Sequence, residues 1–378
     1  MEIGRGAMNR ASTDSILQSE AKHPYLCGMI RKPNIRKHTQ EELVHLFLEM
    51  GEKKFRARQV HEWLWQKGAT SFHDMTNLSK ALREKLEAEY AIDKVEILDE
   101  QRSADGTIKY AFKLATGHEV EGVLIPTHKR VTACVSSQAG CSLSCAFCAT
   151  GFLDLKHNLH HYEIFDQVQL LRDKSEEEYG RPLTNIVYMG MGEPLLNYRN
   201  VLGSIERITA EDGLGMSPRR ITVSTAGIAK MIKRLADDEV KFEFALSLHA
   251  ANEEKRSKVM AINDSNSLEA LKEALQYFYE KTKTRVTFEY CIFKDFNDSI
   301  EDAKELAAFT RHVPSKVNVI EYNPVPEAGF VNTTPERMDA FIAYLEKANV
   351  IVNVRRSRGK DVDGGCGQLA LKRWEKVG

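Results

Sequence analysis

The stretch CVSSQAGCSLSCAFCATG, Cys134 to Gly151, decides how this chain is read. It carries four of the seven cysteines. Cys141, Cys145 and Cys148 form a Cys-x-x-x-Cys-x-x-Cys array. In a tight loop this spacing turns three thiolates toward one point, and thiolates are soft ligands suited to iron–sulfur clusters or zinc. A closed zinc site needs a fourth ligand, usually from a second Cys or His pair. No such pair follows, because His157, His160 and His161 open an amphipathic helix. Three ligands on a four-iron cluster leave one iron open to a small molecule. A structural zinc loop and free core cysteines are the plainer alternatives.

Composition narrows the class. The 378 residues allow two or three domains. Hydrophobic residues at 42% and charged residues at 28% fit a soluble globular protein. No apolar run approaches the roughly 20 residues that span a bilayer. The N-terminus has no apolar signal core, so neither secretion nor a membrane is expected. An odd number of cysteines, clustered in one loop, speaks against a secreted disulfide framework and for a cytoplasmic protein. The net charge of -1 means that any RNA partner must be held by a local basic surface.

Around the array the chain divides into five parts. Residues 1–35 are polar and aperiodic and read as a mostly disordered tail; Cys27 falls there with no role. Residues 36–93 form a helical unit, opened by a Thr39/Glu42 capping box. Leu43, Leu46, Phe47 and Met50 face inward on its first helix, Val60, Trp63 and Leu64 on the second, and Leu82 and Leu86 on the third. Lys53, Lys54, Arg56 and Arg58 surround Phe55, either as a phosphate-binding patch or as a solvated face. Residues 94–130 alternate as a β extension, with a hairpin turn at Asp105-Gly106. Residues 131–350 alternate strands and helices, which implies a parallel sheet with functional groups at the strands' carboxyl ends. The expected fold is therefore α/β, a partial (β/α) barrel. Residues 351–378 hold a last strand and a cysteine loop.

Several strand ends carry chemistry. In MGMGEPLLN, Gly190 and Gly192 would let a ligand approach the backbone, and Glu193 could meet an ammonium; a tight turn explains the glycines equally well. Met189 and Met191 read as packing. Ser224 ends the next strand, then Ser247, Leu248 and His249, and later Asn323. His249 alone reads more simply as a satisfied strand-end residue. In RRSRGKDVDGGCGQL, glycines leave Cys366 exposed and mobile, and the cations Arg355, Arg356, Arg358 and Lys360 would lower its pKa. Cys134 and Cys291 read as small core residues, and Glu121 as a solvent-facing residue in an apolar strand.

The cysteine array, with Phe147 before its last member, resembles the signature of the radical S-adenosylmethionine (SAM) superfamily. Together with GEKKFRARQV, MGMGEPLLN, RRITVSTAG, SLHA and DVDGGCGQL, it makes Thr39 to Leu369 similar to the RlmN/Cfr family of radical SAM RNA methyltransferases. Gly364-Gly365 and Glu321 depart from that family's usual residues without removing a functional side chain.

The resemblance implies one 4Fe-4S cluster on Cys141, Cys145 and Cys148. It implies SAM, two per turnover, held by Gly192, Glu193, Ser224, Ser247, Leu248, His249 and Asn323. One SAM would methylate Cys366; the second would yield a 5′-deoxyadenosyl radical that activates this methyl group for addition to adenine carbon 2. Cys134 would release the product through a transient Cys134–Cys366 disulfide, with Glu121 as proton acceptor. The implied substrates are an adenosine of 23S rRNA near the peptidyl-transferase centre and the adenosine 3′ of a tRNA anticodon. A flavodoxin-like donor would supply electrons to a monomer. Carbon 8, the Cfr-type target linked to antibiotic resistance, is the alternative within the family; the longer N-terminus and Pro194 look more like the carbon 2 branch. A zinc-bound RNA-binding module is the alternative outside it.

Overall fold

The computed structural model describes residues 32–371, so Cys27 and most of the expected tail lie outside the described residues. The last positions of that tail belong to the folded unit instead. Pro33 and Ile35 exchange backbone hydrogen bonds with Ala91, both at 3.0 Å, and Ile35 is fully buried.

Three helices make the N-terminal unit: α1 (Gln40–Glu49), α2 (Lys54–Trp65) and α3 (Lys80–Glu89). Thr39 and Glu42 close the capping box that starts α1. Leu43, Phe47, Val60, Leu64, Leu82 and Leu86 form the shared core. Trp63, expected inward, is only partly buried and donates its indole N–H to Asn77 at 2.7 Å. Trp65 takes the buried place, because it docks the unit onto α4 (His161–Tyr179). There Trp65 stacks on His161 with ring centroids 5.7 Å apart. The Arg36 guanidinium lies 4.7 Å from the Trp65 ring centre and makes two 2.7 Å bonds to Asp166.

Strands β1 (Glu96–Arg102), β2 (Ile108–Lys113) and β3 (Glu119–Pro126) run antiparallel, and β3 pairs antiparallel with β4 (Val131–Cys134). The extension is thus continuous with the main sheet. A short pair, β5 (Gln138–Ala139) and β6 (His157–Asn158), brackets the cysteine loop. Beyond α4 come β7 (Asn185–Tyr188), α5 (Tyr198–Thr209), β8 (Ile221–Thr225), α6 (Ala229–Asp237) and β9 (Glu243–Ser247). Then follow α7 (Glu253–Val259), α8 (Leu268–Thr282), β10 (Val286–Ile292), α9 (Ile300–Thr310), β11 (Ser315–Glu321), α10 (Pro335–Lys347) and β12 (Val352–Arg355).

The ten-stranded sheet has the order β1-β2-β3-β4-β7-β8-β9-β10-β11-β12. From β4 to β12 every neighbour is parallel. Parallel crossovers are right-handed. When strand order follows chain order, successive crossovers advance the same way and place their helices on one face. The other face becomes the concave interior of a partial barrel, as the alternation in sequence implies. The expected helix stripe Ile164, Phe165, Val168 and Leu171 is fully buried against this sheet.

Register places three side chains on one face. Lys109 pairs with Val123, Val123 with Cys134, and Glu121 lies two residues from Val123. Strand side chains alternate faces, so Lys109, Glu121 and Cys134 share a face.

Candidate active site

The array sits in the loop after β4. Ser144 adopts φ 49°, a left-handed turn between the first two cysteines. The loop closes so tightly that a Cβ on Gly151 would lie 2.6 Å from the Cys145 carbonyl oxygen. Cys141, Cys145 and Cys148 are partly exposed, and all three line one solvent-open cavity. Burial pushes the free thiol of Cys141 up to about 11, and raises Cys145 and Cys148 as well. Among the described residues no three His, Cys, Asp or Glu side chains close around a single ion. The three thiols line one cavity, and coordination would deprotonate them. This soft, three-thiol donor set around a wide cavity fits a cluster with one open iron.

Gly192, Glu193, Ser224, Ser247, His249 and Cys366 line the same cavity. Gly192 has φ 94°, and a Cβ there would lie 2.4 Å from the Gln138 side chain. A Cβ on Gly190 would meet Ser136 and Val135 at 2.7 Å. The protein's own packing thus requires glycine at both positions, and both also line the cavity.

Glu193 is buried, and its carboxylate accepts from the backbone of Ala226 at 2.7 Å and of Leu195 at 3.0 Å. Burial raises its pKa, against those N–H groups. The Ser224 and Ser247 hydroxyls lie 3.3 Å apart. His249 accepts the Cys291 N–H at its Nδ1, 3.0 Å away, which assigns the proton to Nε2. Burial pushes its pKa down to about 3, so it stays neutral. Phe147, the aromatic of the array, packs edge-on against its ring.

Leu248, Asn323, Cys134 and Glu121 are not among the residues that line this cavity. Leu248 is fully buried and contributes backbone, its carbonyl accepting from Arg256 Nε at 3.2 Å. Asn323 Nδ2 donates to the Cys366 carbonyl at 3.1 Å, while its buried Oδ1 has no partner. Cys134 is buried beside Met189, and burial pushes its thiol up to about 12. Glu121 does not face solvent: it pairs with Lys109 at 3.4 Å, each side chain 3% exposed. Its Oε2 accepts the Ala370 N–H at 2.9 Å.

Two expectations about Cys366 are corrected. Its loop is pinned, not loose: Gly367 accepts from Ala149 at 2.7 Å, Leu369 from Thr150 at 2.6 Å, and Gln368 donates to Pro324 at 3.2 Å. The thiol is open to the cavity, but the surrounding walls raise its pKa, with Cys134, Cys148 and Glu289 adding to the rise. The cations do not lower it. Lys360 pairs with Glu321 at 2.9 Å, and Arg358 reaches the Asp105 carbonyl. Cys134 and Cys366 are both free thiols here.

Sequence reading passed over three charged residues. Glu289 lines the cavity and accepts from Asn318 at 2.7 Å. Arg256 is fully buried and ties the Leu248 and Ala226 carbonyls together, at 3.2 and 2.5 Å. Lys109 faces Glu121. Glu289 and Lys109 each interrupt an apolar strand, the same signal that marked Glu121.

Residues 33–92 match the family model for the ribosomal RNA large subunit methyltransferase N-terminal domain, and residues 135–307 match the radical SAM superfamily. The "Probable dual-specificity RNA methyltransferase RlmN" of Cytophaga hutchinsonii is 55% identical over 92% of this chain and 97% of its own length. That of Christiangramia forsetii is 52% identical over 92% and 99%. A radical SAM methyltransferase from Sphaerobacter thermophilus, known from its crystal structure, superposes with a TM-score of 0.84 at 37% identity, covering 90% of this chain and all of that one. A cavity ringed by three radical SAM cysteines and a fourth on a glycine loop, carried on the same two matched regions, leaves one conclusion: the chain belongs to the RlmN family of dual-specificity radical SAM RNA methyltransferases.

Proposed function

We propose that the enzyme methylates carbon 2 of adenosine in 23S rRNA and tRNA through an S-methyl group carried on Cys366. The observation that carries this reading is the place of Cys366 on the wall that also holds Cys141, Cys145, Cys148 and Glu193. Adenine carbon 2 is electron-poor, so direct transfer of a methyl cation to it fails. A thiol inside the SAM cavity offers a carrier.

When bound, the cluster and two SAM molecules per turnover supply the methyl group and the means of removing a hydrogen atom. Cys141, Cys145 and Cys148 hold the cluster. Glu193, beside Gly192, would offer its carboxylate to the SAM ammonium. Ser224, Ser247 and the Nε2–H of His249 offer hydrogen bonds to SAM, while Leu248 and Asn323 shape the wall behind it. Cys366 Sγ takes the methyl group, whose carbon bonds to adenine carbon 2. Glu121 accepts the proton displaced there. Cys134 Sγ attacks the Cys366 sulfur, the sulfur–carbon bond breaks, and the departing carbon takes up a proton to become the methyl group of the base, leaving a Cys134–Cys366 disulfide. A flavodoxin-like protein restores both thiols.

RNA would lie on the helical unit of residues 36–93 and on the Arg355–Lys360 stretch. Lys53, Lys54, Phe55 and Arg58 are exposed there, and Arg56 covers the Phe55 ring at 4.8 Å. A target base must leave its stack to reach the cavity. The β extension, 94–130, and the described part of the C-terminal piece, 351–371, bring Glu121 and Cys366 to the partial barrel of 131–350. No helix of the described residues is long and apolar enough to cross a membrane, and we place the enzyme in the cytoplasm as a monomer.

The test is mass spectrometry of Cys366 in anaerobically purified, cluster-loaded protein. One added methyl group is expected. An unmodified thiol after incubation with SAM would overturn the reading. Nucleoside analysis of ribosomal RNA from cells with and without the enzyme separates 2-methyladenosine from the carbon 8 isomer.

A further inference from the structure

We infer that Lys109 is the positioning residue that keeps Glu121 ionised and aimed for its proton transfer. The inference rests on Glu121 being the proton acceptor.

A proton acceptor must be an anion before it acts, yet Glu121 is 2% exposed. An isolated carboxylate so buried would protonate. Lys109 places its ammonium 3.4 Å from Oε1, on the neighbouring strand and the same face. The Ala370 N–H occupies Oε2. Burial raises the Glu121 pKa, and Lys109 is the largest influence in the opposite direction.

The other charges nearby cannot replace it. A small cavity at the pair is lined by Asp99 from β1, Lys109 from β2, Glu119 and Glu121 from β3, and Leu371. Cys134 on β4 shares the face, as a thiol. Lys109 is thus the cation among acids. A buried ion pair adds little net stability compared with apolar residues of similar volume, so holding the fold is a weak account of it. The Ala370 contact also ties Glu121 to the Cys366 loop.

The test uses cluster-loaded, full-length wild type, K109M, K109R and E121Q, with three readouts from about pH 6 to 9. These are Cys366 methylation by mass spectrometry, covalent protein–RNA adduct on denaturing gels, and methylated RNA. K109M should methylate Cys366 like wild type. Its acidic limb for RNA product should move up by about one pH unit or more, the usual effect of an opposite charge at this range. On the acidic limb, below the wild-type pKa, that is roughly tenfold less product, with adduct accumulating and then clearing as pH rises. K109R should restore the wild-type limb. If K109M precipitates, K109Q carries the same test.

A K109M limb coinciding with wild type would sink the inference. So would equal loss of Cys366 methylation and RNA product, which would make Lys109 structural. Full activity in E121Q would instead remove Glu121 as the acceptor. Loss in E121Q beside an unaltered K109M would remove only Lys109.

Discussion

Asn323 Nδ2 donates to the carbonyl oxygen of Cys366 at 3.1 Å. The side chain just beyond β11 thus grips the loop that carries the cysteine. Asn323→Leu removes this bond in a buried setting, worth about 1 kcal/mol or more. Cys366 methylation should slow by roughly fivefold or more, while iron content stays at wild-type level. A time course of intact-protein mass, beside an iron assay, checks both.

The Arg36–Asp166 pair fastens the helical unit to α4, with Arg36 fully buried and Asp166 3% exposed. Removing one partner of such a pair costs about 3–5 kcal/mol. Asp166→Ala should lower the urea midpoint by a corresponding amount. The double variant R36M/D166L should recover part of the loss, since Arg36 is no longer stranded, while Lys94, 3.7 Å from Asp166, still loses its partner.

Gly192 combines φ 94° with Gln138 atoms where a Cβ would go. Gly192→Ala should destabilise the protein by about 1–3 kcal/mol, the usual cost of a strained backbone position. Because Glu193 is the next residue, SAM binding should weaken too, as read by equilibrium dialysis.

Histidines shape the acid limb of stability. Burial pushes His161 down to about 4 and His249 down to about 3, both from an ordinary 6.5. In each case the unfolded chain binds the proton first. Their contribution is therefore fully present above about pH 6.5 and is lost as pH falls toward the folded value, at up to about 1.4 kcal/mol per pH unit for each histidine. His161→Gln should flatten the fall in melting temperature between about pH 6.5 and 4. An unaltered slope would refute this assignment.

Cysteine ligation has a direct readout. Cys145→Ala leaves two thiols of the array at the cavity, and iron content after anaerobic reconstitution should fall to a small fraction of wild type. Retained iron at full stoichiometry would place the cluster elsewhere.

Much of this was legible in the chain. Apolar runs alternating with amphipathic stretches gave the strands from Val131 to Arg355, because a strand buried on both faces is apolar throughout. The cysteine spacing brought Cys141, Cys145 and Cys148 to one cavity, since loop geometry is local. What escaped was the partner of each buried polar group. Trp63 and Trp65 look alike in sequence, but only Trp65 meets Arg36 and His161. Glycines around Cys366 suggested a loose loop, because hydrogen bonds to Ala149, Thr150 and Asn323 come from residues far away in the chain.

The sequence by itself determined the chemistry available: three thiols at cluster spacing, a fourth on a glycine loop, and a parallel α/β scaffold to carry them. Local spacing and periodicity encode such things directly. Only the tertiary structure decided the electrostatics. It turned Glu121 from a solvent-facing residue into one half of a buried pair with Lys109, and it withdrew the expected cations from Cys366 by giving Lys360 to Glu321. A side chain's charge state is set by burial and by neighbours from other strands, and those neighbours exist only once the sheet is assembled.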